Sequence, residues 1–82
     1  MTETGNITYY VALPFVRNEE GDLVAGEARD YQQANTAVRG ARSMAAINAG
    51  AIAFSRTGDP AVGEFQPAQI LARFGETSDE VD

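Results

Sequence analysis

Neither cysteine nor histidine occurs anywhere in this 82-residue sequence. Their absence excludes disulfide bonds and the usual zinc sites, and it removes the common nucleophile–base pairs of enzymes. A chain of this length forms one domain and buries only about 60% of the surface that its unfolded form exposes. Since no covalent or metal crosslink compensates, we expect self-association to supply part of the stability. We predict no metal, no cofactor and no enzymatic activity.

Lysine is absent as well, so all six basic residues are arginine, against twelve acidic residues and a net charge of −6. Four of those twelve acids stand near the C-terminus, at Glu76, Asp79, Glu80 and Asp82. Residues 7–75 hold seven acids and six arginines and are therefore nearly neutral. Without a basic excess, we predict that the protein does not bind nucleic acid.

No apolar run approaches the roughly 20 residues of a membrane-spanning helix. The first residues also lack the charged and then apolar pattern of a signal peptide. We therefore predict a cytoplasmic protein that does not contact membranes. The polar ends predict a disordered N-terminus over residues 1–6 and a flexible acidic tail over residues 76–82, which leaves residues 7–75 as a single domain.

The segment Ile7–Arg17 reads ITYYVALPFVR, and its aromatic and β-branched residues predict a strand. Pro14 cannot donate a ladder hydrogen bond, which predicts a sheet edge or a bulge near it. A polar turn over residues 18–22 then predicts a hairpin to a second strand over residues 23–28. Alternation separates a bulky set that we expect to face the core: Tyr9, Val11, Leu13 and Phe15.

The middle of the chain repeats small apolar residues three or four positions apart and predicts one amphipathic helix over residues 31–49. Asp30 is the expected N-cap, and Gln33 stands at the spacing of a capping box. Gly50 is expected to take the left-handed conformation just after the last turn. Gly40 weakens the helix and marks either a close contact or nothing.

Two further strands are predicted over residues 51–57 and 65–74, on either side of a turn region over residues 58–64. The order β-β-α-β-β predicts an α+β, two-layer fold. In this fold a four-stranded antiparallel sheet is covered on one face by the single helix.

The sheet face away from the helix is the first candidate for function. We expect it to be mostly small and apolar, and such patches often mark interfaces, although much of any protein surface is apolar. It would bind a protein partner, or a second copy of the chain in a homodimer. The candidate interface residues are Tyr10, Ala12, Val16, Ala53, Leu71 and Arg73.

The segment Ser55–Pro60 reads SRTGDP and is the densest polar stretch. A glycine-containing turn beside an arginine can hold an anion, which makes Arg56, Thr57 and Gly58 candidate anion-binding residues. The same letters are also ordinary turn chemistry, in which Gly, Asp and Pro shape the backbone. A small-molecule or anion-binding module at this turn is therefore the alternative to a protein-interaction module.

Three stretches read YYVALPFVRNEEGDLVAGEA, GAIAFSRTGDPAVGEF and AQILARFGE. Together they resemble a family of small uncharacterised bacterial proteins of about this length. The likeness covers nearly all of Tyr9 to Glu76, and FSRTGDP followed by GEF carries most of it. The resemblance implies a bacterial cytosolic protein and assigns no activity, cofactor or functional residue.

Overall fold

The computed structural model describes residues 5–78 of the chain. Its elements are β1 Ile7–Arg17, β2 Leu23–Ala25, β3 Arg29–Tyr31, α1 Ala34–Ile47, β4 Gly50–Asp59, β5 Glu64–Phe65 and β6 Gln69–Gly75. The strands form one antiparallel sheet, and the helix packs against it, so the predicted α+β class is confirmed. Within these residues the sheet has six strands, so the prediction of four is wrong.

The two long strands β1 and β4 form the centre of the sheet. They pair antiparallel from Ile7 opposite Gly58 to Phe15 opposite Gly50. Short strands line each outer side: β2 and β3 pair with β1, while β5 and β6 pair with β4. The six strands therefore occupy four positions across the sheet. An additional strand, β3, follows β2 where the sequence predicts the start of the helix, and the predicted strand over residues 65–74 is broken into β5 and β6.

Pro14 explains the first break. The strand β2 pairs with residues 15–17 of β1 and β3 with residues 10–12, so the gap lies beside this proline. The Pro14 carbonyl accepts a hydrogen bond from the Gly26 amide at 2.8 Å. Its nitrogen lies on the same side of the strand but has no hydrogen to continue the ladder. The predicted sheet edge or bulge is therefore wrong for β1, which is a central strand and pairs with β4 without a bulge. The proline interrupts only the pairing on the side of β2 and β3.

Two features shape the chain after β4: a turn formed by Asp59, which leads into β5, and a break between β5 and β6. The Asp59 carbonyl accepts from the Gly63 amide at 2.9 Å, and the Asp59 carboxylate accepts from the Ala61 amide at 3.0 Å. After β5 the Gln66 amide still donates to β4, but Pro67 follows and cannot donate. The strand β4 reaches Asp59, so it is longer than the sequence pattern predicts.

The helix begins later than predicted, and Asp30 is not its N-cap. Asp30 lies in β3 opposite Val11, and the N-cap is Gln33, which makes no side-chain capping bond. Pairing with β1 continues through Tyr31, so these residues are unavailable for a capping box. Gly50 is likewise not the left-handed residue after the helix, because it begins β4 without a positive φ angle.

Alanine against alanine forms the contact between helix and sheet. Five alanines are fully buried there: Ala37 and Ala41 from the helix, and Ala12, Ala51 and Ala53 from the two central strands. Other apolar side chains surround them without being fully buried, namely Tyr10, Tyr31, Val38, Met44, Ala45 and Phe74. The predicted small apolar stripe of the helix is confirmed, and it packs on equally small residues of the sheet.

The prediction of which sheet face the helix covers is therefore wrong. We expected the bulky set of β1 beneath the helix, but the buried contact contains Ala12. Alternation separates the two sets of side chains without saying which set the helix covers. A helix with an alanine stripe comes closest to the sheet where the sheet residues are also small, and this decides the face.

Glu76 connects the end of β6 to the domain. Its amide donates to the Ala49 carbonyl at 3.0 Å, and its carboxylate lies 3.2 Å from the Arg17 guanidinium. Residues 1–4 and 79–82, which fall in the predicted N-terminus and tail, lie outside the described residues. No helix between residues 5 and 78 is long and apolar enough to cross a membrane.

Candidate functional site

The sheet face turned away from the helix, here called the open face, carries the bulky side chains of the central strands. Ala12 and Ala53 lie beneath the helix, so the residues on either side of them point to the open face. The strand register adds the remaining members of this face. The open face of β1 and β4 thus contains Ile7, Tyr9, Val11, Leu13, Phe15, Ile52, Phe54 and Arg56.

These side chains partly cover one another and still leave apolar surface. Ile52 and Phe15 are the largest fully buried side chains, with exposures of 0% and 2%. Tyr9, Leu13 and Phe54 are only partly buried, as is Val11 between them. The largest buried side chains therefore lie on the side of the sheet that has no helix.

An aromatic pair extends the open face at one end. The rings of Tyr9 and Phe65 have centroids 6.0 Å apart and an interplanar angle of 44°. Phe65 is 41% exposed and lies over Gly58, where an added Cβ would come within 2.5 Å of the ring. The absence of a side chain at Gly58 thus allows the Phe65 ring to lie against β4 beside Tyr9.

Charged residues lie at both edges of the open face, in addition to Arg56 on the central strand β4 opposite Tyr9. Asp30 pairs with Val11 and lies at one edge, whereas Arg73 pairs with Ile52 and lies at the opposite edge. Their strand neighbours Tyr31 and Phe74 pack under the helix, so both charged side chains start from the open face. The Arg73 guanidinium donates to the Thr77 hydroxyl at 3.2 Å.

Four residues of the predicted interface do not lie on the open face. Ala12 and Ala53 are fully buried beneath the helix, and Tyr10 packs against the same cluster. Val16 is half-buried and lies, by alternation, on the helix side of β1. Their assignment to an exposed interface is therefore wrong, because the helix covers the face of small residues that was predicted to be open.

Two residues of the predicted interface remain accessible. Arg73 lies on the open face, at the edge strand β6. Leu71 is 38% exposed and lies where the register of β6 shifts opposite Ala53 and Phe54. The sequence pattern correctly groups the bulky residues of β1 on one face. It does not indicate that this face is the open one.

The predicted anion-binding residues lie within β4. The Thr57 hydroxyl shares a 2.8 Å hydrogen bond with the Thr8 hydroxyl, and the Thr57 carbonyl accepts from Gln66. Gly58 is buried and pairs with Ile7, while Arg56 is half-buried opposite Tyr9. The turn begins only after Asp59, so Arg56, Thr57 and Gly58 do not form the cradle of turn amides that the hypothesis requires.

Two shallow concave regions occur elsewhere. A groove of about 340 Å³ between β3 and the helix is lined in part by Tyr31, Gly40 and Met44. A hollow of about 330 Å³ lies beside Asp59 and Phe65. Among residues 5–78 no group of three or more acidic side chains is placed to hold a metal ion.

Comparison with family models, with curated proteins and with solved structures finds no match to this chain. The resemblance to small bacterial proteins therefore stays a prediction.

Proposed function

We propose that this protein is a non-enzymatic interaction module that binds a protein surface through its open face. One observation carries the proposal: the helix covers alanines, while the bulky apolar side chains of both central strands face away from it. A sheet with one strongly apolar face ordinarily buries that face against another layer. Within residues 5–78 the only helix lies on the opposite face, and Tyr9, Val11, Leu13 and Phe54 keep part of their surface exposed.

The size of the apolar surface supports a partner of modest affinity. Fully burying a large aliphatic or aromatic side chain is worth about 1.5–3 kcal/mol. Tyr9, Val11, Leu13 and Phe54 are already mostly buried, so each gains at most about a third of that amount on complete burial. Association entropy and side-chain ordering offset part of this gain, so we expect weak binding that is micromolar at the tightest.

A site-specific crosslinking experiment tests the proposal. A photoreactive benzoyl-phenylalanine replaces Tyr9 on the open face, and the matched control replaces Arg39, which is exposed on the helix. After irradiation in the native cells, we expect protein adducts from position 9 and few from position 39. Position 9 without adducts, or with no more than the control, would refute an interaction through the open face.

A further inference from the structure

We infer that the partner of the open face is the open face of a second copy, related by a two-fold axis that runs along the strands between β1 and β4. The inference rests on the proposed function and names the partner of the same site. It follows from the order of side chains across the sheet, from two charges at opposite edges and from the area of the face.

The apolar rows of the sheet are compatible with this symmetry. Val11 and Phe54 form one row across β1 and β4, and Leu13 and Ile52 form the next. The two-fold axis lies in the interface between the two sheets, parallel to the strands and above the line between β1 and β4. It therefore places β1 of one copy over β4 of the other. Val11 then packs against the partner's Phe54, and Leu13 lies over the partner's Ile52 and contacts the side chains around it, because Ile52 is itself fully buried in each copy. The centre of the interface is thereby wholly apolar.

The charged residues at the two edges become complementary under the same axis. Asp30 lies at the β3 edge beside Val11, and Arg73 lies at the β6 edge beside Ile52. The axis exchanges the edges, so Asp30 of each copy lies over the edge that carries the partner's Arg73. The two residues are offset by one row, about 7 Å along the strands, and the sheets are about 10 Å apart. Extended aspartate and arginine side chains span this separation, and the dimer contains the pair twice.

The area of the open face suits a dimer of moderate affinity. The open face is four strands wide, at about 4.8 Å per strand, and about 27 Å long from Ile7 to Phe15. It therefore covers roughly 500 Å² on each copy. The two copies together bury at most roughly 1,000 Å², because Ile52 and Phe15 already expose almost no surface, and this area is near the lower limit for specific interfaces. Closed two-fold dimers are also the commonest protein assemblies. We therefore expect a dissociation constant in the micromolar range.

A charge exchange tests this geometry by sedimentation velocity over roughly 5–200 μM protein, a range chosen around micromolar affinity. The variants are Asp30→Arg, Arg73→Asp and the double variant that carries both. Each single change places two pairs of like charges in contact and is expected to weaken the dimer by about tenfold or more. The double variant restores opposite charges and is expected to recover most of that loss.

Matched controls separate the local pair from net charge. Glu19→Arg and Arg39→Asp alter the net charge by the same amounts at exposed residues outside the open face, and we expect neither to change the dissociation constant. Circular dichroism verifies that each variant folds. The milder pair Asp30→Asn and Arg73→Gln replaces any charge-reversal variant that does not fold, and we then expect each to weaken the dimer less.

Two results would overturn the inference. A double variant no tighter than the single variants would refute the two-fold geometry. An unmodified protein that is monomeric at about 100 μM, well above micromolar affinity, would refute the second copy as partner. Adducts from position 9 to a different protein would then leave the proposed function intact, whereas the absence of all adducts would refute both.

Discussion

Replacing Gly40 by alanine is expected to destabilise the protein, although helix propensity alone predicts the opposite. Gly40 lies inside α1, where alanine is ordinarily better by about 0.5–1 kcal/mol. In the fold, however, an added Cβ would lie 2.5 Å from Cζ of Tyr31 and closer still to its hydroxyl oxygen. The phenol ring therefore occupies the space that the methyl group needs.

The balance of the two effects sets the expected magnitude. Tyr31 is partly buried and packs beside the alanine contact, so its ring cannot leave without exposing apolar surface. Overpacking of this kind costs about 1–3 kcal/mol. After subtraction of the gain in helix propensity, Gly40→Ala is expected to lower the free energy of unfolding by about 1–2 kcal/mol. At about 4–8 °C per kcal/mol, this lowers the Tm by several degrees.

Urea titration followed by far-UV circular dichroism measures the effect. Protein concentration must be constant, because self-association makes apparent stability depend on concentration. The control is Gly40→Ala in a Tyr31→Ala background, where the alanine is expected to stabilise by about 0.5–1 kcal/mol. The double-mutant cycle then has a coupling of about 2 kcal/mol. Equal stabilisation by Gly40→Ala in both backgrounds would refute a steric contact with Tyr31.

Three further substitutions test other contacts by the same titration. Gly50→Ala is expected to cost about 2–3 kcal/mol, because its Cβ would lie 2.6 Å from the Phe74 carbonyl oxygen and closer to the Glu76 backbone; an unchanged midpoint would contradict this. Asn18→Ala is expected to cost about 1 kcal/mol, because the Asn18 side-chain oxygen accepts two turn amides at 3.0 and 2.9 Å; a stabilised variant would argue against these bonds. Arg17→Ala is expected to cost less than about 1 kcal/mol, because its ion pair with Glu76 is half exposed; a clearly larger loss would show that the pair is structural.

Local patterns were sufficient wherever neighbouring residues decide the structure. The first strand has the predicted bounds, Ile7–Arg17, because its β-branched and aromatic residues favour an extended backbone throughout. The turn that follows is confirmed by a positive φ angle at Gly21 and by the side-chain bonds of Asn18. The small apolar stripe of the helix was also predictable, since the 3.6-residue spacing of its apolar positions depends only on residues of the helix itself.

The helix cap and the number of strands depended on distant pairing. Asp30 and Gln33 have the spacing of a capping box, but Asp30 pairs with a strand about 20 positions earlier in the chain. Pro14 cannot donate a ladder hydrogen bond, and the result is a gap between β2 and β3, the two strands that pair with β1 on either side of it. Neither outcome follows from local sequence, because each depends on which segment lies alongside β1.

The sequence by itself determined the α+β class, the limits of β1, the apolar stripe of α1 and the division of β1 into bulky and small faces. Each of these depends on residues within one element, where backbone preference and side-chain period act directly. Only the tertiary structure decided which face the helix covers. That choice depends on how closely two elements pack, and alanines on the helix pack closest on Ala12 and Ala53. It left the bulky residues of β1 and β4 on the open face, where we propose that a partner binds.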